Sequence, residues 1–118
     1  MKLKLKKVTI LRHLLILLPL TSAASYSQEW SGGTNLKTIY PHSHNNGVGT
    51  VYYSFEKMIN PSNCTHGWLI ALRKDNKLSS EIYSLLLTAF TTDTKVNYYV
   101  GGCDDAGFPV MHHIQLSK

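Results

Sequence analysis

The chain of 118 residues has only two cysteines, four prolines and no apolar run long enough to cross a bilayer. Each shortage excludes something. The longest apolar stretch, residues 14–20, falls far short of the ~20 residues a membrane-spanning helix needs, and Pro19 interrupts it. Behind the basic residues Lys2, Lys4, Lys6, Lys7 and Arg12 that stretch reads instead as the core of a secretory signal. Ser22-Ala23-Ala24-Ser25 supplies small residues for cleavage after Ala24 or Ser25. Residues 1–24 are therefore expected to be a cleaved signal peptide and residues 25–118 a single exported domain, in the periplasm or outside the cell. No cysteine lies near the cleavage site to carry a lipid.

Excess charge is also missing. Five of the twelve Lys and Arg residues lie in the leader, leaving seven against seven Asp and Glu in the mature chain. A neutral domain has no global field with which to gather nucleic acid or anionic lipid. Catalytic signatures are equally scarce. There is no Gly-x-Ser-x-Gly elbow, His-Glu-x-x-His pair or Gly-rich phosphate loop, and Asp104-Asp105 reads as two solvated neighbours in a glycine-containing loop. Neither an enzyme nor a cofactor is indicated.

Two cysteines in an exported chain are expected to pair, so Cys64 and Cys103 are read as a disulfide. Closing a loop of that length would stabilise so small a domain by roughly 4 kcal/mol in the chain-entropy model. The alternative is a Cys64 thiol assisted by His66. Asn63-Cys64-Thr65 also fits a glycosylation acceptor, relevant only in a eukaryotic secretory pathway.

Periodicity gives the elements. Trp30-Ser31-Gly32-Gly33 reads as a turn-rich entry and residues 36–40 as a first strand ended by Pro41. In residues 50–56, Val51, Tyr53 and Phe55 alternate with Thr50, Tyr52, Ser54 and Glu56, the period of a half-buried strand. Residues 68–72 are continuously apolar and read as a strand buried on both faces. Leu78, Ile82, Leu85, Leu86, Ala89 and Phe90 then form one helical face behind an Asn76 or Asp75 cap, opposite Ser80, Ser84, Thr88 and Thr91. Residues 95–100 put Val96, Tyr98 and Val100 on one strand face. Residues 101–107 read as a long flexible connection, and Val110, His112, Ile114 and Leu116 as the inner face of a last strand. The order β-β-β-α-β-β predicts a five-stranded, partly open OB-type barrel, mainly β with one helix plugging its end.

The chain also resembles the B subunit of subtilase cytotoxin and the small secreted bacterial proteins similar to it. The resemblance is carried by Glu29-Trp30-Ser31-Gly32, by Tyr53 and Phe55, and by Ile82-Tyr83 running to Phe90-Thr91-Thr92 with Val96 and Tyr98-Tyr99 after it. It implies an OB-fold, non-catalytic subunit that forms a homopentamer, binds sialylated host glycans and serves a toxic A-type subunit. The positions nearest that family's sugar site are Leu36, Tyr40 and Val100, of which Tyr40 alone has a hydroxyl.

All twelve Trp, Tyr and Phe lie in the mature chain, and an exposed ring with a polar tip stacks well on sugars. Alternation places Tyr52 and Tyr99 on outward faces, and Trp30 sits in a polar terminus. Trp30, Tyr40, Tyr52 and Tyr99 are therefore the candidate ligand-binding residues. The competing account makes Tyr52 and Tyr99 ordinary cross-strand pairs. A zinc site would need His42 and His44 to meet His112 or His113 and Asp104 or Asp105, but adjacent strand residues face opposite ways and no metal is expected. Two roles follow. One is a secreted glycan or receptor binder; the other is an accessory protein, an inhibitor or envelope factor, that docks another protein through the loop around Cys103.

Overall fold

The computed structural model describes residues 27–43 and 49–118. The expected leader and its cleavage site, together with His44, lie outside those residues. The elements are β1 (Gln28–Trp30), β2 (Leu36–His42), β3 (Thr50–Phe55), β4 (Ile70–Arg73), α1 (Ser79–Thr92), β5 (Asn97–Cys103) and β6 (Pro109–Gln115).

The strands form one six-stranded mixed sheet in the order β1-β5-β6-β4-β3-β2. Every ladder is antiparallel except β4–β6, which run parallel through Ala71 and Val110. The two edge strands, β1 and β2, are consecutive in the chain, so the sheet must curl to bring its ends within reach of residues 31–35. Those residues are fastened on both sides. Ser31 N–H donates to the Tyr98 carbonyl at 2.8 Å, Thr34 and Val96 exchange backbone bonds at 2.9 and 2.8 Å, and Glu56 N–H donates to the Asn35 carbonyl at 2.9 Å. Thr34 Oγ1 also accepts the Lys57 N–H at 2.8 Å. A five-stranded barrel is not what forms, since the sheet has six strands and does not close into a continuous ladder.

The extra strand is β1, which ends at Trp30, where the turn-rich entry of residues 30–33 begins. Three residues are too few to show an alternation, and Gly101 admits them, because a β-carbon there would collide with the Gln28 side chain on the partner strand. The strand expected over residues 68–72 begins only at Ile70; Trp68 sits in a turn and is 60% exposed. The connection expected to be long and flexible is a short hairpin, because β5 continues to Cys103 and β6 starts at Pro109. Asp104 ties it, its N–H donating to the Phe108 carbonyl and its Oδ1 accepting the Phe108 N–H, both at 2.8 Å. In β6 the register moves from Val100↔Met111 to Tyr99↔His113, leaving His112 as a bulge. The bulge reverses the alternation, so Met111 rather than His112 fills the core.

The core joins Tyr53, Phe55, Ile70, Leu72, Val96, Tyr98, Val100 and Met111 from the sheet to Ile82, Leu86 and Ala89 from α1. Phe55 and Tyr98 stack with centroids 4.1 Å apart, an arrangement worth ~1 kcal/mol beyond the area it buries. Tyr98 is also pinned by its hydroxyl, which donates to the Lys57 carbonyl at 2.7 Å and accepts the Ile59 N–H at 3.1 Å. The helix buries a narrower stripe than its sequence face suggests, leaving Leu78, Leu85 and Phe90, with Leu87, about half exposed. It also starts later than Asn76, whose Oδ1 accepts the Leu78 N–H at 2.9 Å in the turn before the helix. Asp93, in the left-handed conformation, ends it.

Candidate functional site

The Cys64–Cys103 disulfide is formed, joining residues 39 apart in sequence. With both sulfurs bonded, neither is a free nucleophile. The bridge fastens the turn after β3 to the end of β5, and His66 N–H adds a 2.9 Å bond to the Gly107 carbonyl.

The four aromatic candidates separate into two pairs. Trp30 and Tyr99 are direct cross-strand partners, and Tyr99 is in turn opposite His113, so three rings form one row across β1, β5 and β6. Their centroids are 5.1 Å apart for Trp30–Tyr99, 5.4 Å for Tyr99–His113 and 6.5 Å for Trp30–His113. The Tyr99 hydroxyl lies 2.6 Å from Gln28 Oε1, to which it donates, and this fixes the ring. Trp30 is 44% exposed. Beside the row lies a groove of about 420 Å³ lined by Gln28, Asn76, Lys77, Leu78, Tyr99, His112 and His113. Its walls combine an amide pair, an ammonium and imidazoles with the apolar flank of Leu78. The Asn76 amide donates to the His112 carbonyl at 3.3 Å and ties the start of α1 to β6.

Tyr40 and Tyr52 are also cross-strand partners, on β2 and β3. Tyr40 is exposed, but Tyr52, expected on an open face, is buried. It faces outward as the alternation requires and is covered by Phe108, 4.9 Å away by ring centroid. Its hydroxyl donates to Asp104 Oδ2 at 3.4 Å, and its pKa is pushed up by burial and by that carboxylate. From Phe108 the rings continue to His66 at 5.2 Å and Trp68 at 5.7 Å. At the other end Tyr40 and His42 approach Tyr52 at 6.3 and 6.1 Å. The result is a six-ring ridge drawn from β2, β3, the turn before β4 and the β5–β6 hairpin.

The sugar-site positions implied by the family resemblance do not assemble. Val100 is fully buried, Leu36 packs against the core and only Tyr40 reaches the surface. Among the described residues no three His, Cys, Asp or Glu side chains converge as a metal would need. His113 instead joins the Trp30 row, and His112 bonds the Gly101 carbonyl at 2.8 Å through Nε2. A larger hollow of about 660 Å³ lies between the β2–β3 end and the start of α1, with Lys74, Ser79, Ser80 and Tyr83 in its wall. Ser43 and Gly49 also line it.

Gln28, Asn76, Lys77, His113, Trp68 and Phe108 are neighbours of the candidates that sequence reasoning did not assign to binding. Cross-strand register supplies Gln28 and His113, while Asn76, Lys77, Trp68 and Phe108 arrive on turns and the β5–β6 hairpin, which local sequence pattern does not place. Among the described residues no helix is long and apolar enough to cross a membrane. No family model matches this chain, and no curated protein or solved structure matches it significantly.

Proposed function

We propose that this protein is a secreted or periplasmic, non-catalytic binding module of OB type that recognises a glycan at the Trp30–Tyr99–His113 row. The observation that carries the reading is the half-exposed Trp30 ring, tilted against Tyr99, which in turn lines a polar groove. Sugar rings present an apolar C–H face to an aromatic ring and hydroxyls to its rim. Trp30 supplies the first; Gln28, Asn76, Lys77 and His113 supply donors and acceptors for the second. The parallel β4–β6 neighbours, the helix between β4 and β5, and the Thr34–Val96 bridge across the ends of the sheet support the OB-type part of the reading.

Assembly into a ring that carries a toxic A-type subunit is the further content of the B-subunit resemblance, with Leu87 and Phe90 of α1 as the apolar surface on which copies would meet. A glycan-array screen of the oxidised protein, run beside light scattering, tests both parts. The expected result is a selective sugar signal that Trp30→Ala weakens about tenfold. A protein that ignores every glycan, or binds one with Trp30→Ala as tightly as without it, contradicts the reading. A monomer by scattering removes the ring alone.

A further inference from the structure

The six-ring ridge at the other end of the sheet is a second recognition surface, and its chemistry differs from that of the Trp30 row. Trp68 is 60% and Tyr40 46% exposed, so its two ends are open. Its middle holds a carboxylate, Asp104, which accepts from both the Tyr52 hydroxyl and the Phe108 N–H. Asp105 is exposed on the same hairpin, and Asp75 follows β4 nearby. Arg73 faces them, its guanidinium already engaged by both oxygens of Asp75 at 3.0 and 2.9 Å. Its pKa is raised first by Asp75 and further by Asp105 and Asp104, so these carboxylates share one neighbourhood. Among the described residues, three carboxylates therefore gather around the Arg73 guanidinium and give this edge an acidic character, while its rings offer negatively polarised faces.

We propose that the ridge docks a basic, extended segment of a partner protein, with an Arg or Lys side chain seated against Trp68 and Phe108 and its charge met by Asp104 and Asp105. An arginine suits the place, since its planar guanidinium stacks on an aromatic face and forks onto a carboxylate. The exposed, elongated form of the ridge suits a macromolecular surface, where buried Trp, Tyr and Arg anchors carry most of the binding energy. The disulfide and the His66–Gly107 backbone bond hold the two loops that bear Trp68 and Phe108, so the surface is preorganised. This proposal does not rest on glycan binding at Trp30.

The test uses a fluorescently labelled twelve-residue Gly-Ser-Arg peptide and its Gly-Ser-Glu counterpart, titrated with the oxidised protein and followed by anisotropy. The Arg peptide should bind and the Glu peptide should not. Trp68→Ala should weaken the Arg peptide about tenfold and Asp105→Asn several-fold. Both positions are exposed, so the fold should survive each change, as circular dichroism would verify. Glu81→Gln, which removes an equal charge from α1, should have no effect. Equal binding of both peptides, or binding of the Arg peptide that Trp68→Ala leaves intact, would overturn the proposal. An uncharged oligosaccharide whose binding depends on Trp68 would overturn it too, making the ridge a sugar site.

Discussion

The Trp30 row and the Trp68 ridge are both exposed aromatic surfaces, but different forces hold them. The row consists of direct partners in regular ladders, Trp30↔Tyr99↔His113, so strand register alone sets its spacing. The ridge takes rings from β2 and β3, from the turn bearing His66 and Trp68, and from the hairpin bearing Phe108. A disulfide and a few loop hydrogen bonds hold those pieces together. A ladder-built surface stands or falls with the sheet, whereas a loop-built surface can be lost by itself.

Removing the disulfide separates the two surfaces most strongly. Cys64→Ser with Cys103→Ser should cost ~2–5 kcal/mol, read from the urea midpoint. In the fraction that remains folded, the proposed Arg-peptide binding should be lost and the sugar binding proposed for the Trp30 row should persist. Equal loss of both would mean that the surfaces are not independent.

Tyr98→Phe acts on what the surfaces share. It leaves the Lys57 carbonyl and the Ile59 N–H without their partner, at a cost of ~1–3 kcal/mol, and should weaken both surfaces only through global stability. It should also flatten an alkaline transition. Burial pushes the Tyr98 hydroxyl up to about 12, with the Ile59 bond opposing, and pushes the buried Tyr53 hydroxyl, which has no hydrogen-bond partner among the described residues, in the same direction. The folded pKa exceeds the unfolded value of 10, so this stabilising contribution is complete below pH 10 and is lost as pH rises toward 12. Thermal melts across that window should fall less steeply for Tyr98→Phe than for the parent. Identical slopes would remove Tyr98 from the transition.

Gly101→Ala is the converse of the disulfide variant. The added carbon meets Gln28 and should push β1 away, at ~1–3 kcal/mol, taking sugar binding with it while Arg-peptide binding persists. A sugar affinity unchanged by this substitution would show that β1 is not part of the site. Trp68→Ala has the smallest effect on stability, within ~0.5 kcal/mol for an exposed side chain, and should act on the ridge alone.

Alternation and helical period made most of the framework legible. Residues 50–55, the buried Val96, Tyr98 and Val100, the helix centre and the cysteine pair all carry their placement in local pattern. What local pattern could not show was pairing. Three residues of β1 have no period, the His112 bulge reverses an alternation that reads smoothly in sequence, and apolar Trp68 looks like strand until the turn before Ile70 places it on the surface. The candidate rings Trp30 and Tyr99 were visible one by one, but their meeting with His113 depends on register across three strands. Tyr52 was assigned the correct face, yet Phe108, from the hairpin beyond β5, covers it.

The chain has two tryptophans, one in each surface. Their indole N–H resonances therefore report the two places separately in a single spectrum. The most direct measurement follows both signals while a panel of oligosaccharides is titrated into the oxidised, isotope-labelled protein. The account predicts that a binding sugar shifts the Trp30 signal saturably and leaves Trp68 in place. A sugar that moves Trp68 and not Trp30, or a panel that moves neither, would contradict it.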